Sequence, residues 1–70
     1  MNKQELKKEL DKGRIVEFSN ESDIFEVRFS TIRGKFMLMK NSELIKSTER
    51  FTNLIISLPL HKLELIDIFE

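Results

Sequence analysis

The feature that most constrains this chain is a change of hydrophobic period at Arg14. From there apolar residues recur at every second position: Val16 and Phe18 fall on one side of an extended chain, and Phe25, Val27 and Phe29 alternate with Glu26, Arg28 and Ser30. Such alternation suits strands with one covered and one wetted face. The polar run Asn20-Glu21-Ser22 supplies the turn of an antiparallel hairpin, which gathers Val16, Phe18, Phe25, Val27 and Phe29 on the covered side. Beyond an Arg33-Gly34 turn, Lys35-Phe36-Met37-Leu38-Met39-Lys40 reads as a further strand, apolar on both faces between its lysines.

Helical signals flank this meander. Asn2-Lys3-Gln4-Glu5 has the form of a capping box, in which each residue's side chain satisfies the other's amide. A helix over residues 3–12 follows, with Glu5 and Lys8, and Glu9 and Lys12, one turn apart; Gly13 suits the left-handed residue that ends it. Its apolar stripe is only Leu6 and Leu10, which predicts a peripheral, partly frayed helix that cannot organise a core. The stretch Asn41 to Ser47 fits either a helix opening at Ser42 or a brief fourth strand. Phe51, Leu54, Ile55 and Leu58 then fall at helical spacing, with Ser47 as a cap and Pro59 as a stop, so a helix over 48–58 is preferred to a strand through 54–58. In Lys62 to Glu70 the alternation of Leu63, Leu65, Ile66 and Ile68 slips once, the signature of a bulged strand. The expected fold is α+β in a single domain, residues 1–70: N-terminal helix, three-stranded antiparallel meander, second helix, C-terminal strand.

A domain of 70 residues buries a modest fraction of its surface, so its stability margin is thin. No cysteine is present and there is one histidine, which removes disulfides and the usual structural zinc sites as supports. The core must rest on Phe, Leu, Ile and Met, helped by self-association or a partner. No segment has the apolar length of a membrane span, and the start Met-Asn-Lys-Gln-Glu has no apolar stretch of the signal-peptide type; the expectation is a cytoplasmic protein. The 12 basic and 12 acidic residues cancel, which removes the whole-domain charge of many nucleic-acid binders.

Little in the chain suggests catalysis. His61 has no nucleophile motif to serve and reads as a surface turn residue. The carboxylate pairs Glu21 with Asp23 and Glu64 with Asp67 lack further ligands for a cation, and Asn20 to Asp23 reads as an ordinary turn. Gly13 and Gly34 are isolated, so no phosphate-cradling loop exists. The expectation is a non-enzyme without catalytic residues, metal, cofactor or small-molecule substrate.

Binding is the better supported class. If Phe36 and Leu38 face the core, Met37 and Met39 emerge on the other side of the sheet. Either a later segment covers them, or they form a docking site or homodimer seam, a role for which polarizable, adaptable methionine is suited. Arg28, Arg33 and Lys35, with Lys40 further along, gather around the second hairpin. They extend a partner site with Met37 and Met39, or serve a basic hairpin that reads DNA or RNA, or pair with Glu26 and Glu17.

The opening capped helix with Leu6 and Leu10, then Lys12-Gly13 and the strand Arg14-Ile15-Val16-Glu17-Phe18-Ser19, resembles the start of some small phage-encoded anti-CRISPR proteins. The expected order helix, three strands, helix also matches over the first 58 residues, without a diagnostic motif, and the balanced charge departs from the acidic DNA-mimicking type. The resemblance implies a stoichiometric inhibitor with no catalytic residues. The expected function is a small non-catalytic protein-binding module of that kind, acting on a host protein or its own twin; the alternative is a small regulatory nucleic-acid-binding protein using a basic β-hairpin.

Overall fold

A computed structural model describes residues 1–70 and shows a single antiparallel sheet with both helices on one face. In chain order the elements are α1 (Lys3–Asp11), β1 (Ile15–Ser19), β2 (Ile24–Ser30), β3 (Lys35–Lys40), β4 (Glu43–Thr48), α2 (Phe51–Ser57), one 3-10 turn (Leu60–Lys62) and β5 (Glu64–Phe69). The sheet runs β4-β3-β2-β1-β5. The α+β class and the helices stand as expected, but the meander has a fourth strand and β5 completes a sheet of five.

Alternation carries directly into burial. Val16 pairs with Val27, which pairs with Leu38, and all three are completely buried on what is here termed the inner face. Phe18, Phe25 and Phe36 lie on the same face, and Phe29 is partly buried beside them. Leu6 and Leu10 of α1, with Leu54 of α2 and Leu58 just beyond it, close the core from above. Phe29, Phe36 and Phe51 stack edge to face at centroid distances of 4.9 and 5.6 Å, joining β2, β3 and α2.

Helix α1 is therefore not the peripheral element its narrow stripe predicts. Two leucines suffice because both are inserted fully into the sheet side of the core, and the ends are held. The Asn2 side chain accepts from the Glu5 amide at 2.9 Å, while Glu5 accepts from the Asn2 amide at 3.1 Å. Gly13 follows at φ +80°, as a left-handed helix terminus requires. Of the expected ion pairs Lys12 joins Glu9, whereas Glu5 serves the cap instead of Lys8, and Lys7 joins Asp11 in addition. Arg14 donates to Glu9 at 2.9 Å and lies 3.6 Å from Glu70, tying α1 to the entry of β1 and the end of β5. That hydrogen bond and the charge of Glu9 raise the guanidinium pKa above its ordinary value.

The ambiguous Asn41 to Ser47 stretch is strand. Lys40 pairs with Glu43 across a two-residue turn in which Asn41 and Ser42 have φ +50° and +69°, the positive values that tight hairpin turns demand. Asn41 holds the turn in place: its Oδ1 accepts from the Ile24 amide at 2.9 Å and its Nδ2 donates to Asp23 at 2.9 Å. Strand β4 takes up Ser47, so α2 begins later than expected and is capped differently. Arg50 stands at its N-cap without a side-chain hydrogen bond, and Thr48 Oγ1 accepts instead from the Arg50 amide at 3.2 Å. The helix ends before Pro59, which has no amide hydrogen to continue it.

Both edge strands are bulged. On β4 the partners step from Lys46 to Leu44 and skip Ile45; on β5 they step from Asp67 to Leu65 and skip Ile66. The slip read in the last segment is this second bulge, although the strand starts at Glu64, after the 3-10 turn. Bulges at both margins interrupt the flat row of amides on which another strand would pair.

Leu54→Ala removes a completely buried side chain and is expected to lower the unfolding free energy by about 2–5 kcal/mol, read from urea melts; Ile56→Ala on the same helix, at a position 80% exposed, stays within about 0.5 kcal/mol. Ser42→Gly relieves the positive φ and is expected to raise stability by roughly 0.5–1 kcal/mol in the same assay, provided the turn keeps its Asn41 contacts.

Candidate interaction surface

The side chains that alternate with the core point to the opposite, outer face of the sheet. Register places them in rows. One row crosses the sheet as Leu44, Met39, Glu26, Glu17 and Asp67, and the next brings Ser47, Met37 and Arg28 together on β4, β3 and β2, with Ile15 and Phe69 paired on β1 and β5. Beside these lie Ser30 opposite Lys35 at one end of the strands, and Ile24 opposite Ser19 opposite Glu64 at the other. Neither helix reaches this face. Helix α1 packs over β1 and β2, and α2 over β3 and β4, all from the inner side. The possibility that a later segment covers Met37 and Met39 is thereby excluded within the chain: α2 takes the inner face and β5 takes an edge.

The face is mixed rather than polar. Met37 and Met39 are half-buried by their neighbours, while Ile24 is 52% and Leu44 46% exposed. A shallow depression of about 440 Å³ is lined by Arg28, Met37 and Met39 together with Phe29, Ser30, Thr31 and Ile32, and a smaller one of about 160 Å³ by Glu17, Ile24, Glu26, Met39 and Ser42. Three of the five predicted partner-site residues thus share one concavity. Lys35 lies on the same face one row further along β3. Arg33 sits in the exposed turn, where its amide donates to Ser30 Oγ at 3.3 Å. Lys40 does not belong to the patch; it shares the inner face with Phe25, its ammonium 5.9 Å from that ring and 3.9 Å from Asp23.

The electrostatics of the face are set by a line of carboxylates. Glu17 pairs directly with Glu26 on one side and Asp67 on the other, so three acids stand abreast. Only Glu26 has a cation partner, accepting from Arg28 at 2.7 Å along the same strand. Cross-strand neighbours of like charge repel and oppose folding slightly. Glu17 and Glu26 are recognisable as neighbours in the sequence, but Asp67, Ile15 and Phe69 are not, because their juxtaposition depends on where the last strand docks.

The remaining features carry less chemistry. The largest depression, about 580 Å³ between the β1–β2 turn and Glu64, has no apolar lining of the kind small-molecule sites present. No group of three or more His, Asp and Glu side chains is placed to hold a metal ion, and His61 is exposed in the 3-10 turn. No helix is long and apolar enough to cross a membrane. Comparison with known proteins gave no match to any family model, curated protein or solved structure.

Glu17→Gln removes the central charge of the row. In dilute protein at low salt it is expected to raise stability by about 0.2–1 kcal/mol, and the gain should shrink as salt screens the row of acids, which paired melts at two ionic strengths would read.

Proposed function

We propose that this chain is a small, non-catalytic protein-binding module whose contact surface is the outer face of the sheet. The observation that supports this reading is the one-sided placement of the helices, which leaves Met37, Met39, Ile24, Leu44, Ile15 and Phe69 on a face with no covering element. A face on which exposed apolar side chains are interspersed with charged ones has the mixed composition of a binding surface, and Met37 and Met39 supply side chains that adapt to a partner's shape. Arg28, Arg33 and Lys35 extend the contact at one end of the hairpin. A stoichiometric inhibitor of a host protein, working in the cytoplasm, is the form of this role that the anti-CRISPR resemblance suggests. That resemblance assumed helix, three strands, helix, whereas the chain has four strands before α2, so the proposal rests on the face itself.

Nucleic-acid recognition through Arg28, Arg33 and Lys35 is the weaker reading. Arg28 is already engaged by Glu26, and the carboxylates of Glu17, Glu26 and Asp67 on the same face repel a phosphate backbone.

A photo-crosslinking amino acid placed at Met37 tests the proposal in cells of the native host. The expected result is a discrete protein adduct from position 37 and none from position 56 on the helix side. Equal labelling at both sites, or none at 37 in a folded protein, would overturn it; an adduct to DNA or RNA would transfer the face to the alternative reading.

A further inference from the structure

We propose that the smaller depression on the outer face receives a lysine or arginine side chain carried on an apolar segment of a partner protein. This rests on the reading of that face as a contact surface and names the chemistry it recognises. The depression, of about 160 Å³, is lined by Glu17, Glu26, Ile24, Met39 and Ser42, which is two carboxylates, two apolar side chains, one hydroxyl and no cation. Small-molecule sites occupy roughly 300–1,000 Å³, so this one has room for a single long side chain.

Charge decides the sign of the occupant. Glu17 and Glu26 are direct cross-strand partners, so their Cβ atoms stand roughly 4.5–5.5 Å apart and their like charges oppose folding. Glu17 is half-buried and has no cation partner. Glu26, its side chain 25% exposed, engages Arg28 through one oxygen and keeps the other free. Arg28 lines the adjoining larger concavity and not this one. Over the whole face the acids Glu17, Glu26, Glu64 and Asp67 outnumber the cations Arg28 and Lys35, and the excess is greatest where Glu26, Glu17 and Asp67 stand abreast. A cation entering between Glu17 and Glu26 relieves a repulsion that the fold otherwise bears. Unfavourable local pairing of this kind is expected at functional sites.

The rest of the lining narrows the cation to a side chain. Lysine and arginine have apolar stems and charged heads, so the stem lies on Ile24 and Met39 while the head reaches the carboxylates. A metal ion finds no third acidic or imidazole ligand placed beside these two. A nucleic acid brings charge of the wrong sign. Apolar contact also continues beyond the depression: Ile24 is 52% and Leu44 46% exposed, and Leu44 pairs with Met39. Residues flanking the inserted cation meet this surface, which a free amine cannot use. The contact is small and screened by salt, which makes it weak and transient.

Amide NMR of isotope-labelled protein, titrated at low salt with short capped peptides, tests this; the peptides carry a central lysine, arginine, glutamine or glutamate between leucines. The lysine and arginine peptides are expected to shift the amides around Glu17, Ile24, Glu26, Met39 and Ser42 saturably, the glutamine peptide to bind at least about fivefold more weakly, and the glutamate peptide to be silent. Glu17→Gln, although the more stable protein, is expected to weaken the lysine peptide by about three- to fivefold, while Glu21→Gln in the neighbouring turn leaves it unchanged. Met39→Lys places a cation opposite Glu26 within the chain and is expected to abolish binding. Equal binding of the lysine and glutamine peptides, no saturable shift, or binding that survives Met39→Lys in a folded protein would sink the proposal. So would a free alkylamine that binds as tightly as the lysine peptide, since the apolar segment then contributes nothing. A protein adduct from position 37 without peptide binding removes the basic side chain and leaves the contact surface standing; failure of both experiments removes both.

Discussion

The ladder Val16, Val27, Leu38 is the constraint on which the rest of the molecule depends. These side chains sit abreast on three adjacent strands with no exposure to solvent, and Leu6, Leu10, Leu54 and Leu58 descend on the same face. In a domain of 70 residues there is apolar material for one such layer. Committing both helices to the inner face leaves nothing for the outer one. The mixed surface of methionines, isoleucines and carboxylates is thus the other side of a single packing decision.

The parts of this architecture that could be read from the residues are those with a local cause. Period-two alternation with a polar turn marks β1 and β2, reciprocal capping marks the start of α1, and the phase slip in the last segment marks the β5 bulge. Strand β4 is left undecided between helix and strand by the residues alone because its inner-face residues are Glu43, Lys46 and Thr48, its phase is broken at Ile45, and its turn is Asn41-Ser42 instead of a glycine pair. Leu6 and Leu10 look slight as a helical stripe; their weight comes from the sheet surface that receives them. The expected start of α2 lies too early because Ser47, a good cap by composition, is held in β4.

The candidate surface divides in the same way. Met37 and Met39 could be placed on the face away from the core from alternation within β3 alone, and Arg28 from alternation within β2. The row Glu26, Glu17, Asp67 could not, since it joins residues through pairing across more than half the chain. That row gives the face its polarity. Without it Arg28 and Lys35 look like a basic patch; with it they are one half of a surface carrying both signs.

The place of β5 has a consequence for how the chain comes into being. Strand β1 is internal in the finished sheet, flanked by β2 and β5, yet its second neighbour is made after every other strand of the sheet. During synthesis β1 emerges early and remains an open margin until β5 has emerged and docked. Through that interval the β5 side of β1 offers unpaired backbone groups to the surroundings, and the nascent chain is most vulnerable to wrong pairing on the side that will later be closed. Docking of the final strand also completes the line of carboxylates, so the assembled charge pattern of the outer face first exists when translation of this segment ends.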